Sequence, residues 1–184
     1  NYNTVVGDEA GTAITTGDQN VALGYQAGLS QTTATQNTLI GAKAGDALTT
    51  GGQNVALGYN ALNSDTLGTA SVAIGRSALG AQNFTSATNA YNVAIGYTAG
   101  ALITTGTQNT LIGGLAGDAI TTASNNTALG YLALSANTTG SVNTAIGVAS
   151  LDANTTGANN VAVGGGSLGA NTTADNNTAV GKDA

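Results

Sequence analysis

The sequence contains no proline, cysteine, methionine, tryptophan or histidine. Each absence closes a class of chemistry. Without cysteine there is neither a disulfide nor a thiol nucleophile, and the redox compartment leaves no mark. Without histidine the usual general base is missing too, and no nucleophile, base and metal set can be assembled. Only 7% of the residues are charged, and Lys43, Arg76 and Lys182 are the only bases in 184 residues. Such a chain cannot neutralise a row of phosphates, so no nucleic-acid partner is expected. No basic amphipathic stretch is present, and no apolar run approaches the roughly 18 residues of a spanning helix, so no membrane contact is expected from this segment. The nine acids are scattered. Asp46, Asp118 and Asp152 share one place in a repeat but stand in non-adjacent units, and they read as solvated turn residues. The expectation is a protein that is not an enzyme and carries no cofactor or metal.

What is present is a repeat. The run Asn-(Thr/Val)-(Ala/Leu)-(Val/Ile/Leu)-Gly recurs along the chain, with glycines at Gly7, Gly24, Gly41, Gly58, Gly75, Gly96, Gly113, Gly130, Gly147, Gly164 and Gly181. The spacing is 17 residues except between Gly75 and Gly96, where a four-residue insertion lies within about 80–91. The opening Asn fails only at Ser71, and Ala or Ser stands three residues after every motif glycine. Eight and nine residues after it a Thr-Thr pair recurs, as at Thr15-Thr16 and Thr155-Thr156. A longer period overlies this one: QNTLIGAKAGDALTT at 36–50 returns as QNTLIGGLAGDAITT at 108–122. The chain reads as one repeat domain over 1–184, and as a segment of something longer.

Seventeen residues are too few for a helix pair and suit a coil of two short strands and two turns. Thr, Val and Ile favour strands, while Gly and Asn favour turns with positive φ. The predicted fold is all-β, a parallel β-solenoid of about eleven 17-residue coils. In the motif strand Val72 and Ile74 point to one face and Ala73 to the other, so both faces are apolar or small. One thin coil has one interior, and the second face requires a neighbour. The simplest neighbour is another copy of the chain. The Asn column is expected to form a ladder of amide hydrogen bonds, and the glycine column to mark a turn closed to other residues.

NNTALGYLAL (125–134), SVAIGRSAL (71–79) and NVAIGYTAG (92–100) resemble the head repeats of YadA-like trimeric autotransporter adhesins. The longer form SANTTGSVNTAIG (135–147) resembles bacteriophage tail-fibre shafts. The resemblance covers essentially the whole chain. It implies a left-handed β-roll, a homotrimer wound about one axis, and an extracellular place on a virion or bacterial surface, serving attachment to a host or surface receptor. The steady 17-residue period leans towards the phage fibre.

Several features could carry recognition. Tyr25, Tyr59, Tyr97 and Tyr131 directly follow motif glycines and could form an exposed stripe for a glycan or receptor, or cover seams. The insertion, with Phe84 inside it, breaks the regular outline and is the candidate contact point. The Thr-Thr column raises the alternative of a monomeric ice-binding solenoid. Adjacent strand residues point to opposite faces, however, so each pair supplies one outward column where a Thr-x-Thr pattern would supply two. Asn137, Asn154 and Asn171 match the glycosylation sequon, as expected in a chain made largely of Asn and Thr.

Overall fold

The structure is a computed structural model that describes residues 1–184. It is a parallel β-solenoid with no helix. Eleven three-residue strands, from Thr4–Val6 to Thr178–Val180, form one parallel sheet in chain order and bound ten turns. Register is strict: Val55, Ala56 and Leu57 pair with Val72, Ala73 and Ile74 one coil on. The pairing steps over the insertion without slipping, since Val72 pairs with Val93. At about 4.8 Å per coil the rod is roughly 50 Å long.

The second strand expected in each coil is present in one place only, where Gly68–Thr69 pairs with Thr88–Asn89. Elsewhere coils still stack through backbone bonds outside the sheet, such as Gly28 N–H to Ala44 O and Thr121 N–H to Thr138 O. The first residue of the Thr-Thr pair explains the difference. Its hydroxyl and its own N–H converge on one carbonyl of the next coil (Thr15 Oγ1 to Thr32 O, 3.0 Å; Thr15 N to Thr32 O, 2.9 Å). The chain bends at once afterwards, and no ladder extends.

The pleat decides what is inside. The middle strand residue (Ala22, Leu39, Ala56, Ala73, Ala94, Leu111, Ala128, Ala145, Ala162) is fully buried, while its two neighbours face outward. The motif glycines hold φ between 127° and 145°. A side chain there would also collide: a Cβ at Gly58 would lie 2.8 Å from the backbone carbonyl of Gly75.

The interior conserves volume by a swap between two positions. Four residues after the motif glycine, the coils carry either Gly (Gly11, Gly28, Gly45, Gly100, Gly117) or Leu (Leu62, Leu79, Leu134, Leu151, Leu168). Seven residues after it, Gly-type coils carry Ile14, Gln31, Leu48, Ile103 or Ile120, and Leu-type coils carry Asp65, Gln82, Asn137, Asn154 or Asn171. Two successive Gly-type coils also make room for a large middle strand residue. Methyl carbons of Leu39 lie 2.9 Å and 2.8 Å from where Cβ atoms at Gly28 and Gly45 would stand, and Leu111 relates in the same way to Gly100 and Gly117.

Candidate functional site

Three surfaces were singled out by the sequence, and the structure places each. The tyrosines alternate with smaller residues, one every second coil from the second coil to the eighth. Tyr25, Tyr59, Tyr97 and Tyr131 are each about half exposed. Between Tyr59 and Tyr97 the Arg76 guanidinium lies 5.9 Å and 5.6 Å from the two ring centroids, and its Nη1 donates to the Tyr97 hydroxyl at 3.3 Å. This cation–π stack bridges three successive coils across the insertion. Tyr131 leans towards the small Gly114, whose Cβ would meet the ring at 3.5 Å.

Phe84 does not offer a contact. Its side chain is 5% exposed. A lone phenyl ring gains more by turning inward than by standing in water, and the polar residues after it take the outside. The coil register locates the extra residues. Phe84 holds the ninth place, and Ala90 the eleventh as counted from the following coil, since Ala90 O accepts from Gln108 N–H as Thr35 O does from Gln53 N–H. Towards the preceding coil the register runs one residue ahead, with Asn89 paired to Thr69. Other coils hold one residue between those places; this coil holds Thr85–Asn89, five, which accounts for the four added. Thr85, Ser86, Ala87 and Asn89 are exposed, as is Tyr91.

The insertion coil is tied down from within. The Asp65 carboxylate is fully buried and accepts from Gly68 N (3.0 Å) and Gln82 Nε2 (2.6 Å). Gln82 Nε2 also reaches Ser71 Oγ at 3.0 Å, and Gln82 Oε1 accepts from Asn92 Nδ2 at 2.9 Å. Ser71, the one exception in the Asn column, thus stands beside the one coil whose Gln82 can replace the missing amide. In the other coils the Asn ladder runs mainly from backbone to side chain: Asn37 N–H donates to Asn20 Oδ1 (3.0 Å) and Asn37 Nδ2 to Gly51 O (2.9 Å).

Asn137 and Asn154 are fully buried in the interior, where their Nδ2 groups donate to Gly140 O and Gly157 O. Their sequons are closed to modification in the folded chain. Burial pushes the carboxyls of Asp46 and Asp118 above the usual aspartate range, with Lys43 opposing the shift at Asp46. Asp152 occupies the same place in a later coil, so the three do not converge. No group of three or more acidic, His or Cys side chains is placed to hold a metal, no pocket indents the rod, and no helix is long and apolar enough to cross a membrane.

The surface that sequence reasoning left open is the outward strand face. Its last column is branched and aliphatic in every coil: Val6, Leu23, Ile40, Leu57, Ile74, Ile95, Ile112, Leu129, Ile146, Val163 and Val180. The column two residues earlier is Val or Thr throughout, so no charge interrupts the face. Val6, Leu23, Leu57, Leu129 and Val180 are exposed outright and the others half-buried. The alternation of the motif contained this signal, but not which side was the interior. The chain matches no family model, no curated protein and no solved structure.

Proposed function

We propose that the chain is a structural and adhesive fibre segment, a rigid rod of a phage tail fibre or bacterial surface appendage, assembled as a homotrimer. The observation that carries this reading is the uncharged aliphatic face. It is about 10 Å wide and about 50 Å long, hence ~500 Å², as large as the functional patches that monomers expose. The core of an interface is depleted in charge in the same way. Its columns repeat every coil, so the partner that matches them along the whole length is another copy of this rod. Three copies about one axis, as the resemblance to adhesin heads and fibre shafts implies, cover each face with two neighbours. Length, rigidity and repeated display then serve attachment to a host or surface, and the absence of a pocket and of clustered reactive groups fits that role better than catalysis.

The ice-binding alternative draws on the second threonine of each pair, which is exposed in eight coils. Against it, the first threonine spends its hydroxyl on the next coil. Light scattering of the purified segment separates the readings. A mass near three times 17.6 kDa supports the fibre. A folded monomer that depresses the freezing point of water overturns it.

A further inference from the structure

The shelf formed by Thr85–Asn89 is the one place where the rod departs from its repeat, and it stands on a fixed footing. Phe84 is buried beneath it, and the Asp65–Gln82–Asn92 network ties that coil from within. We infer that the shelf and Tyr91 form a binding site for a neutral saccharide. This deepens the fibre reading, on which it rests, by naming a contact point and the chemistry it takes.

Tyr91 is the first support. It stands at a place where the preceding coil carries Ala70 and the following coil Gln108, with Gln19, Gln36 and Gln53 in earlier coils, so a large aromatic ring, 54% exposed, takes a place held by smaller residues elsewhere. A tyrosine ring offers an apolar face to the C–H side of a sugar and keeps a polar tip.

Hydrogen-bonding capacity is the second. Asn89 Oδ1 accepts from Thr69 Oγ1 at 2.6 Å and its Nδ2 donates to the Tyr91 hydroxyl at 3.2 Å. These bonds orient the amide and the ring together, and each retains a free proton for a ligand. Asn83 is exposed, its Oδ1 accepts from Thr66 Oγ1 at 3.0 Å, and its Nδ2 makes no hydrogen bond within the chain. Thr85 and Ser86 add exposed hydroxyls. Donors and acceptors of both kinds within one small area suit a polyhydroxylated ligand.

Charge selects the class of sugar. From Ser77 to Gly117 the sequence has no charged residue, and the chain carries a net −6. The nearest base in sequence, Arg76, is held between the Tyr59 and Tyr97 rings. An acidic polymer would meet repulsion and no cation at the shelf, whereas a neutral one meets neither penalty. With no pocket, a single contact is shallow, and firm attachment would come from several copies engaging one polymer.

The test is retention of the full chain on columns of immobilised mannan, dextran, galactan and a polysialylated polymer. Two variants are compared: one lacking residues 85–88, which restores a 17-residue coil, and Tyr91→Gln, which installs the residue that stands at this place as Gln19, Gln36, Gln53 and Gln108. Retention on at least one neutral polymer is expected, abolished by the deletion and weakened at least tenfold by Tyr91→Gln. Circular dichroism and solution mass should stay unchanged in both variants. Passage through every neutral column, equal retention of the deletion variant, or retention on the sialylated polymer alone overturns the inference. A trimer that ignores all neutral polymers sinks the saccharide site and leaves the fibre; a monomer sinks the fibre whatever the columns show.

Discussion

Gln31 and Gln82 occupy the same place in their coils, yet the same substitution should act on them with opposite sign. Gln31 lies fully buried with neither its amide nitrogen nor its oxygen paired. Leaving such a group dry costs about 1–3 kcal/mol on the scale of protein mutations. Its counterparts one coil away on either side are Ile14 and Leu48, so the interior already accepts a branched apolar residue there. Gln31→Leu should therefore raise stability by about 2 kcal/mol, which for a chain of this size is about 4–8 °C in Tm. Gln82 is buried as deeply but bonds Asp65, Ser71 and Asn92. Gln82→Leu strips a buried carboxylate of a donor and should cost about 2–4 kcal/mol. Chemical denaturation followed by circular dichroism, at one fixed protomer concentration, gives both values. Hydrogen exchange should place the gain in the coils around residue 31, because stability in a stacked repeat is largely a nearest-neighbour property. If Gln31→Leu destabilises, or if both variants shift the same way, burial and pairing do not govern this interior as argued.

Three further outcomes are expected. Gly58→Ala places a Cβ against the Gly75 backbone at a φ of +134° and should cost at least about 2 kcal/mol in a denaturant titration, whereas the equally small change Ala47→Gly on the surface should cost less than about 1 kcal/mol. Val142 is β-branched at a φ of +62°, where neighbouring coils carry Asn125 and Asn159, so Val142→Asn should stabilise by about 1 kcal/mol in the same assay. Asp46 and Asp118 have folded carboxyl pKa values raised by burial, so the stability tied to their protonation is full below the unfolded value near 4 and is lost as pH rises through the folded values. Unfolding free energy measured from pH 4 to 7 should therefore show a decline that the double variant Asp46→Asn, Asp118→Asn flattens.

Periodicity made the architecture legible. A 17-residue spacing with strand-forming triplets and glycine punctuation leaves little but a coil, and the parallel register follows from it. The second strand was not legible, because nothing in Thr-Thr-Gly announces that the threonine hydroxyl will take the carbonyl its own N–H also takes. Phe84 was not legible for a related reason: the sequence groups it with the insertion, but it holds a regular place of its coil and turns in, while the added residues after it turn out. The volume swap between the fourth and seventh places was visible in the letters. Its meaning needed the knowledge that both side chains enter one interior.

That interior also decides the outer face. With Ala or Leu from the strand, Gly or Leu from the turn and one more side chain per coil, the core is closed, and the last strand column must point outward. Covering each of those eleven half-exposed aliphatic side chains would yield about 1 kcal/mol, or ~10 kcal/mol over the rod. That sum is comparable to the about 4–15 kcal/mol that association costs once, so it is length that makes assembly favourable and each coil should count. Ile74→Asp and Ile112→Asp test this. Ile74 and Ile112 are two coils apart, with Ile95 between them, roughly 10 Å by the coil spacing, far enough to act independently. Light scattering over a dilution series should show each single variant dissociating at a concentration at least tenfold higher than the parent. The double variant should shift by about the product of the two, with circular dichroism unchanged throughout because neither side chain enters the core. A double variant no weaker than a single one would mean that the copies meet elsewhere on the rod.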